Sequence, residues 1–139
     1  MERAVVHFDG ASASIGGHYV GGWGCVVEGP GFVHEDFGSL RLPGDLATNN
    51  VAEYTAAVKA LEYLLSRGFH GVVDVYGDSQ LVIRQFSGEY RVRASHLKPY
   101  HERLLALAQE FSKVTFTWVP REENYRADDL SKRGLGSPT

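Results

Sequence analysis

From Ala4 to about Gly38 the apolar and polar positions fall into short strand-like segments: Val5-Val6-His7-Phe8, Tyr19 to Glu28, and Phe32 to Phe37. Gly16-Gly17 and Gly29-Pro30-Gly31 punctuate them. Three sequential strands joined by tight turns are most simply antiparallel. From Val51 the period becomes helical, with Tyr54, Ala57, Val58, Leu61, Leu64 and Leu65 on one face and Gly68 as a stop. Val72 to Tyr76 reads as a strand, Ser79 to Phe86 as a helix, and Ser95 to Phe111 as a second helix with Leu97, Tyr100, Leu104, Leu107 and Phe111 on its face. Val114 to Val119 alternates as a last strand, and Asn124 to Arg133 closes the chain as a helix.

Strands that alternate with helices need crossover connections, which favour parallel pairing and right-handed crossings. The pattern therefore predicts a mixed sheet with helices packed on it, and ligands in such sheets gather near strand ends where neighbouring connections diverge. Asp9 is expected to close the first strand and Asp78 to follow the fourth. If those strands are adjacent and parallel, both carboxylates leave the sheet at the same end.

A chain of 139 residues is enough for one domain with a single core, expected over residues 1–133, with 134–139 as a short flexible tail. No run of 18 apolar residues is present, and Met1 to Phe8 is too short and too charged for a signal peptide. The expectation is a cytoplasmic protein with no membrane partner. Cys25 is the only cysteine, so an internal disulfide is excluded and a core position is expected. The net charge of −3 gives no global reason to expect nucleic acid. Locally, Arg84, Arg91, Arg93, Lys98 and Arg103 outnumber Glu89 and Glu102, a basic stretch that suits a phosphate backbone or a solvated face equally well.

Four acids carry the chemistry: Asp9, Glu53, Asp78 and Asp128. Each has a plain structural alternative. Asp9-Gly10 is a turn dipeptide, Glu53 could complete a capping box with Asn50, Asp78 could cap the helix after it, and Asp128 suits the first turn after an Asn124 cap. Clustered together, however, four carboxylates repel one another unless divalent cations sit between them, which points to metal-dependent phosphodiester chemistry.

The phrases around these acids are Phe8-Asp9-Gly10, Thr48-Asn49-Asn50 with Glu53, Gly77-Asp78-Ser79-Gln80, and Val119 to Asn124 followed by Ala127-Asp128. In this order, over about residues 4–133, they resemble ribonuclease H type 1. The resemblance implies an α/β, ribonuclease H-like fold: a five-stranded mixed sheet, three antiparallel strands then two parallel, with helices on both faces. It implies an endonuclease that hydrolyses the RNA strand of RNA·DNA hybrids and leaves 5′-phosphate and 3′-hydroxyl ends. Asp9, Glu53, Asp78 and Asp128 match the family's catalytic acids and would hold two Mg²⁺ ions, with Mn²⁺ as an alternative, spaced about 3.5–4 Å apart. Asp129 is left as a solvent-facing helix residue. Gly10, Asn49, Asn50 and Gln80 match substrate-binding positions, the amides reading the 2′-hydroxyl side of the hybrid, and Thr48 matches a residue that binds a DNA phosphate. A monomer is expected.

The chain departs from the family pattern at two places. Aligning on Asp128 puts Trp118 where many members carry a loop histidine, and Arg121 is the candidate substitute, with a cation that cannot titrate near neutral pH. The basic protrusion of longer members is replaced by the short Phe86 to Arg93 segment, so weaker hybrid binding with few phosphate contacts is expected, and no separate hybrid-binding domain is expected before residue 1. Two other readings fit the same acids: a catalytically silent hybrid-binding module, and another nuclease of this fold.

Overall fold

The computed structural model describes residues 2–44 and 46–136. Five strands and four helices follow the order expected: β1 Arg3–Ile15, β2 His18–Gly29, β3 Phe32–Leu40, α1 Asn49–Ser66, β4 Val72–Gly77, α2 Gln80–Phe86, α3 Lys98–Ala108, β5 Lys113–Trp118 and α4 Tyr125–Leu135. The sheet order is β3-β2-β1-β4-β5. β1, β2 and β3 pair antiparallel, while β4 runs parallel to both β1 and β5, which is the mixed arrangement read from the sequence.

Strand alternation decides which helix covers which face. A Cβ on Gly21 would touch Leu40 and Ala52 of α1, whereas one on Gly24 would lie 2.5 Å from the Ser131 nitrogen of α4. The odd-numbered residues of β2 therefore face α1, and the even-numbered ones face α4. On the α1 side Ala4, Val6 and Phe8 of β1, Val73 and Val75 of β4, and Tyr54, Leu61 and Leu64 of α1 are essentially fully buried. Each of the larger apolar side chains contributes about 1.5–3 kcal/mol by leaving water. α3 adds Leu104 and Leu107 behind α1. Cys25 lies in this core, its thiol pushed up to about 12 by burial, so it is a packing residue and not a nucleophile.

Several elements differ from their sequence-based limits, β3 running on to Leu40 and α3 stopping at Ala108 among them. β1 does not end at Asp9; it continues to Ile15 because β2 pairs with it all the way to His18, and the turn that reverses the chain is Gly16-Gly17, with φ of 60° and 82°. The helix expected from Ser95 begins as a 3-10 turn, Ser95–Leu97, and becomes α-helical at Lys98, with Pro99 in its first turn. The tail expected from Gly134 is also corrected. Gly134 and Leu135 are the last residues of α4, and Gly134 packs against the Gly38 carbonyl so closely that a side chain would overlap it. Residues 137–139 of that expected tail lie outside the described residues.

One consequence of the topology sets the site. β1 pairs with β4 only as far as Phe8↔Gly77, but with β2 as far as Ile15↔His18. Beyond Phe8 the sheet therefore has a notch beside β1, and Asp9 is the first residue in it.

Candidate active site

Four elements bring one acid each to this notch. Asp9 comes from the middle of β1, Glu53 from the second turn of α1, Asp78 from the link between β4 and α2, and Asp128 from the first turn of α4. Carboxylate oxygens of Asp9, Glu53 and Asp78 all lie within 4.8 Å of one another. Asp128 is joined to them through a hydrogen bond shared with Asp9.

Three of the single-residue alternatives fail locally, and one holds, since Asp128 does lie in the first turn of α4 after Asn124. Asp9-Gly10 makes no turn, because both residues are strand. α1 is capped by Thr48, whose Oγ1 accepts the Val51 N–H at 3.3 Å, so Glu53 lies too far along the helix to close a capping box. α2 is capped by Ser79, whose Oγ accepts the Val82 N–H at 3.2 Å, and Asp78 is released from that duty. Asn124 makes no cap with its side chain; its amide donates to the Phe8 carbonyl at 2.9 Å and ties the start of α4 to β1 next to Asp9.

Burial without compensation shapes the electrostatics. Asp9 and Glu53 are each 4% exposed. Burial first, then the Asp78 charge and the hydrogen bond with Asp128, push the Asp9 carboxyl up to about 8, against a weaker opposing bond from the Gly10 N–H at 2.9 Å. Glu53 is likewise raised well above its usual range by burial and by Asp9 and Asp78. Asp128 goes the other way. Burial alone would raise it, but hydrogen bonds from Asp9, Lys132 and Arg121 together hold it below the ordinary carboxylate value. Lys132 Nζ reaches Asp128 Oδ2 at 3.1 Å, and Arg121 Nη2 reaches Oδ1 at 3.3 Å.

Glu53 Oε2 is buried and has no hydrogen-bond partner. An orphaned buried carboxylate oxygen costs on the order of 1–3 kcal/mol or more. With two further acids inside 4.8 Å, the group it lacks is a cation, and an all-oxygen donor set suits a hard divalent ion. The residues therefore fit a divalent metal.

A groove of about 600 Å³ opens over the acids. Gly10, Asn49, Asn50, Gln80 and Arg121 line it, as does Lys132. Gln80 Oε1 accepts from Arg84 Nε at 2.8 Å, so its amide nitrogen is turned away from that contact and keeps its donors. Thr48 does not line the groove and is occupied as the α1 cap; its hydroxyl accepts there and still has a proton to donate. Gly10 lies under α1, where any side chain would overlap the Glu53 backbone nitrogen. Asp129 points outward and pairs with Arg126 and Arg133.

Two contacts near the acids are not legible from the sequence alone, those of Lys132 and of Trp118. Lys132 follows Asp128 by four residues, a spacing that puts both on one helix face and could have flagged it. Trp118 is the last residue of β5, within the strand expected there; its indole nitrogen donates to the Asp78 carbonyl at 3.3 Å, a contact between β5 and the link after β4 that local sequence does not encode. The segment that joins β5 to α4 holds no histidine. In the 87–94 segment Arg91 and Arg93 are exposed, and Gln85 donates to the Arg91 carbonyl at 3.4 Å.

A family model described as "Reverse transcriptase-like" matches residues 37–134. Ribonuclease HI of Halobacterium salinarum is 36% identical over 133 residues, 96% of this chain and 64% of that protein. The N-terminal RNase H domain of Rv2228c from Mycobacterium tuberculosis superposes with a TM-score of 0.84 at 30% identity, covering 98% of this chain and 95% of that one. LC11-RNase H1, solved in complex with an RNA/DNA hybrid, gives a TM-score of 0.82 at 32% identity, covering 96% of each chain. The chain spans 64% of the length of the Halobacterium protein and 24% of the full Mycobacterium tuberculosis bifunctional protein Rv2228c.

Proposed function

Since the chain belongs to the type 1 ribonuclease H family, we propose that it is a metal-dependent endonuclease that hydrolyses the RNA strand of RNA·DNA hybrids. The observation that carries this reading is the unpartnered Glu53 oxygen inside the three-acid cluster, at the floor of a groove lined by amides and cations. Two divalent ions, Mg²⁺ or Mn²⁺, held by Asp9, Glu53, Asp78 and Asp128 would supply an activated water and stabilise the leaving 3′ oxygen, giving 5′-phosphate and 3′-hydroxyl ends.

The chain's own side chains do the rest. Asn49 and Asn50 at the start of α1 and Gln80 at the start of α2 present amides that can donate to and accept from 2′-hydroxyls, the group that separates RNA from DNA along the whole backbone. Gly10 lets β1 and α1 approach, so the backbone at the groove floor stays within reach of the substrate strand. The Thr48 hydroxyl proton is left for a DNA phosphate. Asp9 gives up its proton before a cation binds, because a ligating carboxylate must be ionised. Arg121 and Lys132 keep Asp128 ionised and place two positive charges beside the phosphate path. All four acids come from one chain, so the active unit is read as a monomer. Among the described residues no helix is long and apolar enough to cross a membrane; a cytoplasmic location belongs to the same proposal, and the nucleic-acid substrate assigned here supports it.

The test is a 5′-labelled RNA annealed to DNA, incubated with Mg²⁺ or with EDTA beside single-stranded RNA, RNA duplex and DNA duplex. Internal cutting of RNA in the hybrid alone, abolished by EDTA, is expected. A hybrid that binds but stays intact in Mg²⁺ and in Mn²⁺ would make the protein a binding module instead.

Arg121 is 68% exposed and touches the acids only through Asp128. Its loss should therefore spare ground-state binding. Arg121→Ala is expected to lower kcat about tenfold while the hybrid KM changes less than about twofold. Steady-state kinetics checks this, and an unchanged kcat would remove the role assigned to Arg121.

A further inference from the structure

Three of the four acids sit on a strand or a helix, but Asp78 does not. It follows Gly77 at the end of β4 and precedes Ser79, the cap of α2. A short link of this kind has no ladder of its own to fix its peptide planes, yet its carboxylate must stay within 4.8 Å of Asp9 and Glu53. The last residue of β5 and the residue after it supply the missing constraint with two bonds. The Val119 N–H donates to the Gly77 carbonyl at 2.9 Å, and the Trp118 indole N–H donates to the Asp78 carbonyl at 3.3 Å. From below, Gly77 rests against the Phe8 ring, where a Cβ would come within 2.5 Å of Cε1. The link is thus gripped on both sides, and the Trp118 bond is the only one of these contacts that acts on Asp78 itself.

Burial does not explain a tryptophan here. Trp118 remains 44% exposed, whereas Trp23, the other one, is 7% exposed in the core. We propose that Trp118 is a positioning residue for divalent-ion binding, its indole N–H fixing the Asp78 peptide so that the carboxylate stays in the three-acid cluster. The inference rests on the reading of that cluster as a metal site. A partner behind a ligand typically carries about 10–100-fold in metal affinity, because freeing the ligand costs order on every binding event.

Trp118→Phe keeps an aromatic side chain, smaller than the indole, and deletes the donor. In isothermal titration of the metal-free protein with Mn²⁺, the dissociation constant is expected to rise about tenfold. The hybrid KM at saturating Mn²⁺ should stay within about twofold of wild type. An unchanged Mn²⁺ constant with a lower urea midpoint would make Trp118 a packing residue and overturn the proposal. If the variant does not fold, the wild-type protein still decides: the Trp118 indole N–H resonance should be protected from exchange and should move on Mg²⁺ titration. A rapidly exchanging, unmoved signal would overturn it. Wild-type hybrid cleavage measured in parallel separates the two readings. Weakened Mn²⁺ binding in the variant beside a wild type that cuts nothing would keep the positioning role and remove the nuclease, and cutting with an unchanged Mn²⁺ constant would do the reverse.

Discussion

Asp9→Asn is expected to abolish Mg²⁺-dependent hybrid cleavage, by at least about 1000-fold, and at the same time to make the metal-free protein more stable at pH 8. Both effects come from one charge. Folded, the Asp9 carboxyl holds its proton up to about pH 8, mainly because it is buried and faces Asp78; its ordinary value is 3.8. Between those two values the folded state binds a proton that the unfolded state has released, so unfolding free energy falls as pH rises through the window, by up to about 1.4 kcal/mol per unit. The stability is fully present below about pH 4 and is lost progressively toward pH 8. Glu53, shifted in the same direction, adds to the slope.

Asparagine is close in shape to the protonated acid. Its Oδ1 can still accept the Gly10 N–H, and its amide can donate where Asp9 shares a hydrogen bond with Asp128. It cannot become the anion that a cation needs. Urea unfolding in EDTA at pH 5 and pH 8 should show wild type losing stability across the interval and Asp9→Asn losing less. Adding Mg²⁺ at pH 8 should raise the wild-type midpoint and leave the variant's in place, since only a ligand that binds the native state stabilises it. Parallel pH profiles for the two proteins would mean that Asp9 carries no such load. Hybrid binding should persist in the variant, because the amides of Asn49, Asn50 and Gln80 are untouched.

The sequence made the acids legible and their surroundings less so, for a physical reason. Each acid sits in a short phrase whose neighbours are sequence-adjacent: Gly10 beside Asp9, Asn49 and Asn50 ahead of Glu53, Ser79 and Gln80 after Asp78. Such phrases survive reading in one dimension. The mixed sheet was likewise visible, because the change from strand period to helix period at Val51 forces crossovers. The limits of β1 were not visible, since its last seven residues, Asp9 to Ile15, pair only with β2 and the reversal lies at Gly16-Gly17. The Trp118 bond joins residues 40 positions apart, and the Asn124 bond to Phe8 joins residues 116 apart. Thr48 shows the opposite case. Its spacing three residues ahead of Val51 suits a cap, but Asn50 and Glu53 offer the same spacing and compete with it in one dimension. The helix-cap alternatives for Asp78 and Glu53 failed for the same reason: Ser79 and Thr48 already do that work, which leaves both acids free for something else.

Gly10→Ala should be the most damaging single methyl in the molecule for the site, and it should act through Glu53. β1 and α1 touch at this point without a side chain between them. An added Cβ would overlap the Glu53 backbone nitrogen and lie 2.5 Å from the Ala52 carbonyl carbon and 2.8 Å from Ala52 Cβ. Backbone cannot step aside as the tip of a side chain can, so α1 must move away from the sheet. Overpacking a core typically costs about 1–3 kcal/mol, and a clash with backbone belongs at or above the top of that range. Against a total stability of roughly 5–15 kcal/mol the protein should still fold, but with α1 lifted where Glu53 enters the cluster. Mn²⁺ affinity should therefore fall together with the urea midpoint. Gly16→Ala is the control. Gly16 has φ of 60° and open space around its Cβ, so alanine there strains the β1–β2 turn by about 1 kcal/mol and leaves the acids alone. A Gly10→Ala protein that loses stability yet binds Mn²⁺ like wild type would show that Glu53 is held by something other than the β1–α1 contact.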